Sequence, residues 1–185
     1  MHSESEKGED PNRVEVIPFR IIPGTMEERL REISDLVDKE RLWVLVDADS
    51  LFGPSHLVSA ISHAMRAIHR GENRARDPSI ELLRWLVGAR QVSEAIRLTA
   101  PPDDEGRALL VIISKSLMKD PCDPDTLKID IVSWTRRSIK GLEPSEGSDD
   151  VWGGVKACTR LGIAAPLDER RAELAVLERV ALCDL

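Results

Sequence analysis

Tyrosine is absent from this 185-residue chain, phenylalanine occurs twice and tryptophan four times. A protein that reads nucleobases on a row of aromatic faces has too few rings to work with here. Cysteine is scarce as well: Cys122, Cys158 and Cys183 are odd in number, far apart and without CxxC spacing. That pattern excludes a disulfide framework and suggests no zinc site, so a reducing, cytoplasmic compartment is expected. No apolar run approaches the roughly 18 residues needed to span a bilayer. Residues 1–12 (MHSESEKGEDPN) lack the apolar centre of a signal peptide, and a soluble protein with no membrane partner is expected. The formal charge of −7 argues against a surface that binds nucleic acid over its whole extent.

What is present is 42% hydrophobic residues, enough for one core, so a single domain over residues 13–185 behind a disordered acidic tail of residues 1–12 is the expectation. Two continuous apolar runs, Leu42–Val46 and Ala108–Ile113, read as strands covered on both faces. Val14–Ile22 reads as a strand that Pro18 confines to an edge or a bulge. Met26–Lys39, capped by Thr25, reads as an amphipathic helix with Leu30, Ile33, Leu36 and Val37 inward. Three helices follow the first buried run. Pro54 opens one that ends at Gly71, Asp77-Pro78 opens the second, which stops at Gly88, and the third carries Val92, Ala95 and Ile96 up to Pro101-Pro102. His56, His63 and His69 share the first of these and are read as solvated. Leu127–Ile139 fits a helix or a strand pair, with helix preferred. Gly141–Asp149 reads as turns, Val151–Leu161 as a short helix, and Leu167–Leu182 as a last helix with Leu174, Leu177 and Ala181 inward. The class is therefore α/β (α+β): a small central sheet with helices packed against it.

Between His63 and Arg97 seven arginines face four acids, a local balance of +3 that leaves −10 for the remainder. Antiparallel packing of the two longer helices is expected to bring the connections Gly71–Arg76 and Gly88–Gln91 close together. Arg74, Arg76 and Arg90 lie in those connections, where guanidinium groups and free helix-end amides can both reach phosphates. The alternative is an ordinary solvated helix face. A short single strand suits such a site; a duplex does not.

Leu45-Val46-Asp47-Ala48-Asp49-Ser50-Leu51 is similar to the opening motif of haloacid-dehalogenase-type phosphatases, in which two alternate carboxylates at a strand end serve a magnesium ion. Lys115 could supply the later lysine, whereas Asp149-Asp150 sits in a glycine- and serine-rich stretch instead of after an apolar strand. The preferred reading is that Asp47 and Asp49 cap the turn and the following helix. No Rossmann or P-loop glycine pattern is present.

Asp47-Ala48-Asp49 followed by Leu51-Phe52-Gly53, His56-Leu57-Val58-Ser59-Ala60, Arg70-Gly71-Glu72-Asn73, Leu82-Leu83, and Arg90-Gln91-Val92-Ser93-Glu94-Ala95 together resemble the small accessory subunit of the KEOPS complex, the TPRKB family. Leu177-Glu178-Arg179-Val180-Ala181-Leu182 resembles that family's ending. Two departures stand out: Pro78, and Leu98-Thr99-Ala100-Pro101 where the family often has Phe-Gly. The resemblance implies a non-catalytic subunit without cofactor or metal. Its implied partners are the Bud-type atypical kinase/ATPase and the single-stranded 3′ CCA end of tRNA, in the assembly that makes threonylcarbamoyladenosine. The resemblance carries Arg70, Gly71 and Asn73 in one loop and Arg90 and Gln91 in the next to the tRNA site; joined to the local positive balance, it gives Arg66, Arg70, Arg74, Arg76 and Arg90 as the expected phosphate contacts, with Asn73 and Gln91 on base edges. Two alternatives are carried: a magnesium-dependent phosphatase using Asp47 and Asp49, and a pure protein-interaction domain.

Overall fold

Val46 faces Leu109 on one side of a sheet whose next strand sets Ile17 opposite Leu110. The computed structural model describes residues 10–145, 151–164 and 168–183. Its strands are β1 (Arg13–Ile21), β2 (Arg41–Asp47), β3 (Gly106–Ser114), β4 (Lys128–Ile131) and β5 (Leu142–Pro144). They form one sheet in the order β2-β3-β1-β4, with β5 against β1 as well. The helices are α1 (Met26–Leu36), α2 (Pro54–Arg70), α3 (Pro78–Val87), α4 (Val92–Thr99), α5 (Val155–Arg160) and α6 (Glu169–Ala181). None of the described helices is long and apolar enough to cross a membrane.

The pleat sends alternate residues to two cores, which explains the unbroken apolar runs. Val16, Val44, Val46, Leu109 and Val111 meet α2 to α6 on one face, while Phe19, Leu45, Leu110 and Ile112 meet α1 and Trp134 on the other. The α/β class is as expected. Pro18, however, lies on a central strand and not at an edge. It is tolerated because β4 pairs with β1 only as far as Val16 and β5 only from Phe19. Its carbonyl accepts from Ser145 N at 3.1 Å, so its ring nitrogen points into the gap between those two strands, where no amide hydrogen is required.

Several other expectations change. Residues 127–139 hold strand β4 and irregular chain where a helix was preferred, because Arg13–Val16 offers β4 a parallel partner that outweighs the local pattern. Asp10 and Asn12 are held in place, with Lys128 Nζ 2.9 Å from the Asp10 carboxylate and Lys128 N donating to Asn12 O. The rest of the expected tail, residues 1–9, and Asp149-Asp150 lie outside the described residues. The short helix after Val151 is confined to Val155–Arg160, since Gly153 packs against the Ala48–Asp49 backbone and leaves no room for a Cβ. In α1 the fully buried side chains are Arg29 and Ile33, and Leu30 is 38% exposed. Arg29 is satisfied by the carbonyls of Ile22, Pro102, Asp103 and Gly141, which ties α1 to two loops. In α6 the inward stripe is Ala172, Val176 and Val180; Leu174 is 57% exposed and Ala181 also faces solvent.

Candidate functional site

α2 ends where Gly71 takes a left-handed conformation (φ 69°) and Glu72 N donates back to Ala67 O. α3 begins where the Asp77 carboxylate accepts from Ser79 N at 2.8 Å and Ile80 N at 3.3 Å. The loop between them is fastened from inside by Glu81, which is fully buried. One oxygen of its carboxylate accepts from Arg74 N (3.1 Å) and Ala75 N (2.8 Å); the other accepts from Arg84 Nη1 (2.8 Å) and Trp85 Nε1 (2.9 Å). Ala75 is buried as a plug, and Asn73 Nδ2 donates to its carbonyl at 2.8 Å. Arg74 and Arg76 are thereby held outward and exposed.

Arg66 and Arg70 stand one turn apart on α2 and continue the line begun by His63, whose ring stacks on Trp85 at 4.9 Å. The α2–α3 corner therefore gathers Arg66, Arg70, Asn73, Arg74 and Arg76. Arg70 is exposed and lies 4.0 Å from the Glu72 carboxylate, a contact too open to neutralise it. The cations on α2 sit at a helix C-terminus, where the macrodipole favours positive charge.

Arg90 and Gln91 do not join this group. His56 Nε2 meets Leu86 O at 2.6 Å, so the end of α3 packs beside the start of α2. Successive connections of antiparallel helices open at alternate ends, and the ten residues of α3 separate the two loops by about 15 Å. At the far end Arg179 Nε donates to Val87 O at 2.7 Å, which sets α6 against Gly88. Arg90 and Gln91 are exposed there, as a separate small site. The amides differ from expectation too. Those of Arg74, Ala75, Ser79 and Ile80 are already taken by Glu81 and Asp77, so phosphate recognition at the corner falls to side chains. Arg84, counted among the local cations, is buried against Glu81, and the pair cancels without changing the balance of +3.

Glu81 was missed as an organiser, although a lone acid on the apolar stripe of α3, four residues before Trp85, is a legible signal. His56 is not solvated, and His63 is half-buried with its ring on Trp85. His56 is fully buried; its Nδ1 accepts from Phe52 N at 3.1 Å, so its Nε2 carries the proton donated to Leu86. Desolvation holds its pKa down at about 4.

Asp47 and Asp49 cap and pair. Asp47 accepts from Asp49 N at 2.8 Å and meets Arg160 Nη1 at 3.0 Å, while Asp49 meets Arg107 at 2.8 Å. Burial raises the Asp47 carboxyl above its ordinary range, against the lowering effects of the Asp49 amide and Arg160. Arg160 also donates to Leu98 O and Ala100 O. Lys115 follows Ser114, which pairs with Arg41, whereas Asp47 pairs with Ala108. Most of a strand, about 20 Å, separates that lysine from the two acids, so the phosphatase set is not assembled from these three residues. No cluster of three or more His, Cys, Asp or Glu placed to hold a metal ion occurs among the described residues.

The family model of the kinase binding protein CGI-121 matches residues 24–182. The chain belongs to the CGI-121 family. Comparison with curated proteins finds no match. The CGI-121 match takes in α1 through α6, strands β2 to β5, the α2–α3 corner and the Arg160 clamp, and leaves out β1.

Proposed function

We propose that this CGI-121 protein is the small, non-catalytic subunit of a cytoplasmic KEOPS complex: it binds the Bud-type kinase/ATPase and holds the 3′ CCA end of tRNA while threonylcarbamoyladenosine is made on other subunits. The observation that carries the tRNA part is the α2–α3 corner, where Arg66, Arg70, Arg74 and Arg76 gather beside Asn73 on a loop fixed by buried Glu81. A fixed loop gives up little entropy on binding, and guanidinium forks suit phosphate oxygens. The scarcity of exposed rings fits a grip on backbone phosphates better than on stacked bases. Arg90 and Gln91, a helix length away, serve as a second contact further along the strand.

Filter-binding titrations of tRNA against the protein and against Arg74→Glu with Arg76→Glu test this reading. The double variant is expected to weaken binding by at least tenfold and to lower the magnitude of the log-affinity against log-salt slope by roughly 0.7 per lost contact. Equal affinity and slope for the two proteins would refute the corner as the tRNA site.

A further inference from the structure

After β4 the chain from Val132 to Arg136 turns over the sheet face that carries Glu15 and Ile17, the face opposite the α2–α3 corner. Between the two lies a pocket of about 200 Å³, with Ile17 and Ile112 as its floor and Trp134 in its wall. Three contacts hold that wall in place. Trp134 Nε1 donates to Arg137 O at 2.9 Å, its ring meets Phe19 edge-on at 5.7 Å, and Arg136 lies over the ring at 5.5 Å while its Nη1 donates to Leu36 O at 2.6 Å. The Arg136 guanidinium is therefore positioned before any guest arrives, which lowers the entropy lost on binding. Its remaining N–H groups, and the hydroxyls of Ser133 and Thr135 on the same wall, make no hydrogen bond among the described residues.

The charges around the pocket do not cancel. On the sheet side Arg13 Nε meets the Asp130 carboxylate at 2.7 Å, and Glu15 lies 3.7 Å from both Arg13 Nη1 and Arg41 Nη2. Lys128 and Asp10 form a pair of their own beside them. Three guanidinium groups thus meet two carboxylates, and the surplus cation is Arg136. Asp35, Asp38 and Lys39 line a neighbouring hollow with Arg136, but neither acid forms an ion pair with it. Size then limits the guest. A cavity of about 150 Å³ holds a benzene-sized molecule and drug-sized ligands need about 300 Å³ or more, so this pocket admits roughly ten non-hydrogen atoms or fewer. A nucleotide or a protein segment is too large.

We propose that the pocket between β1 and residues 132–136 binds a small oxyanion, the carboxylate or phosphate group of a compact polar metabolite. Arg136 faces the anion with its planar fork, Ser133 and Thr135 donate from their hydroxyls, and the stem of the guest lies on Ile17 and Ile112. Part of the pocket is β1, which precedes the residues matched by the CGI-121 model, and its place on the opposite face makes it independent of RNA and kinase binding.

The test follows the indole N–H signal of Trp134 by NMR in the ¹⁵N-labelled full chain, identified by its loss in Trp134→Phe. Sodium phosphate and sodium malonate are titrated separately at an ionic strength held constant with sodium chloride. At least one is expected to shift the signal to saturation, with half-saturation in the millimolar range or below. Arg136→Gln is expected to weaken that binding about tenfold, the scale of a lost charge-assisted hydrogen bond. Ser133→Ala with Thr135→Val removes no bond within the fold and is expected to weaken it about threefold or more, so the result stands even if Arg136→Gln loosens the end of α1. Arg74→Glu with Arg76→Glu is expected to titrate like the parent. Saturation by phosphate alone assigns the pocket to a phosphate ester, and saturation by malonate alone to a carboxylate. A shift that stays linear with both anions, that is undiminished in the Arg136 and hydroxyl variants, or that vanishes in the Arg74 and Arg76 variant would overturn the proposal.

Discussion

The Glu81 carboxylate lies 2.8 Å from the amide of Ala75, so a fully buried acid on α3 sets the shape of a loop that the solvent-facing Arg74 and Arg76 depend on. The same carboxylate is the partner of buried Arg84. Glu81→Ala removes both functions and leaves a guanidinium in the core. It is expected to cost about 3–5 kcal/mol in urea unfolding. Glu81→Gln keeps one acceptor oxygen and is expected to lose less, with tRNA affinity falling in the same order.

His56 makes stability depend on pH. Its folded pKa of about 4 lies below the ordinary imidazole value of 6.5, so the unfolded chain binds the proton more readily. Stability should therefore be full above about pH 6.5, fall as pH drops towards 4, and level off below that. The loss approaches roughly 3 kcal/mol from this group. Unfolding titrations at pH 7 and pH 4.5 measure the slope, and His56→Gln, which cannot titrate, should show a shallower one.

Arg160 links the end of β2 to the end of α4 through Asp47, Leu98 O and Ala100 O. Arg160→Ala strands a mostly buried carboxylate and two carbonyls. Because the guanidinium is itself partly exposed, about 2–3 kcal/mol is the expected cost. Asp47→Asn in the Arg160→Ala background should recover part of it, measured by thermal or urea unfolding.

α6 offers a test of which face packs. Val176→Ala is expected to cost about 1–3 kcal/mol, since Val176 is completely buried. Leu174→Ser is expected to stay within about 0.5 kcal/mol of the parent. The reverse ranking would mean that the helix sits on its other stripe.

Much of the fold was legible where a local signal was also the global one. The two apolar runs became β2 and β3, and Gly71, Asp77-Pro78 and Gly88 bound the helices where their backbone chemistry requires. α6 was misread because it carries two apolar stripes, one at 172, 176 and 180 and one at 174, 177 and 181, and periodicity cannot say which one packs against α2, α3 and α5. Glu81 and Arg84 pair locally and were overlooked on the apolar stripe of α3, whereas buried Arg29 and His56 escaped because they bond carbonyls of distant segments, Gly141, Pro102, Asp103 and Leu86. β4 was hidden for the same reason. The candidate site was half legible: the arginines of the first corner could be read from the sequence, but placing Arg90 beside them required that consecutive helix connections share an end, which antiparallel packing forbids.

The most direct measurement is the affinity of the full chain for tRNA and for the same tRNA lacking its terminal CCA, at one fixed salt concentration. The expected result is a loss of at least tenfold on truncation, matched by the Arg74→Glu with Arg76→Glu variant on intact tRNA and not compounded when the two are combined. Equal binding of intact and truncated tRNA by the unaltered protein would contradict the assignment of the α2–α3 corner to the tRNA end.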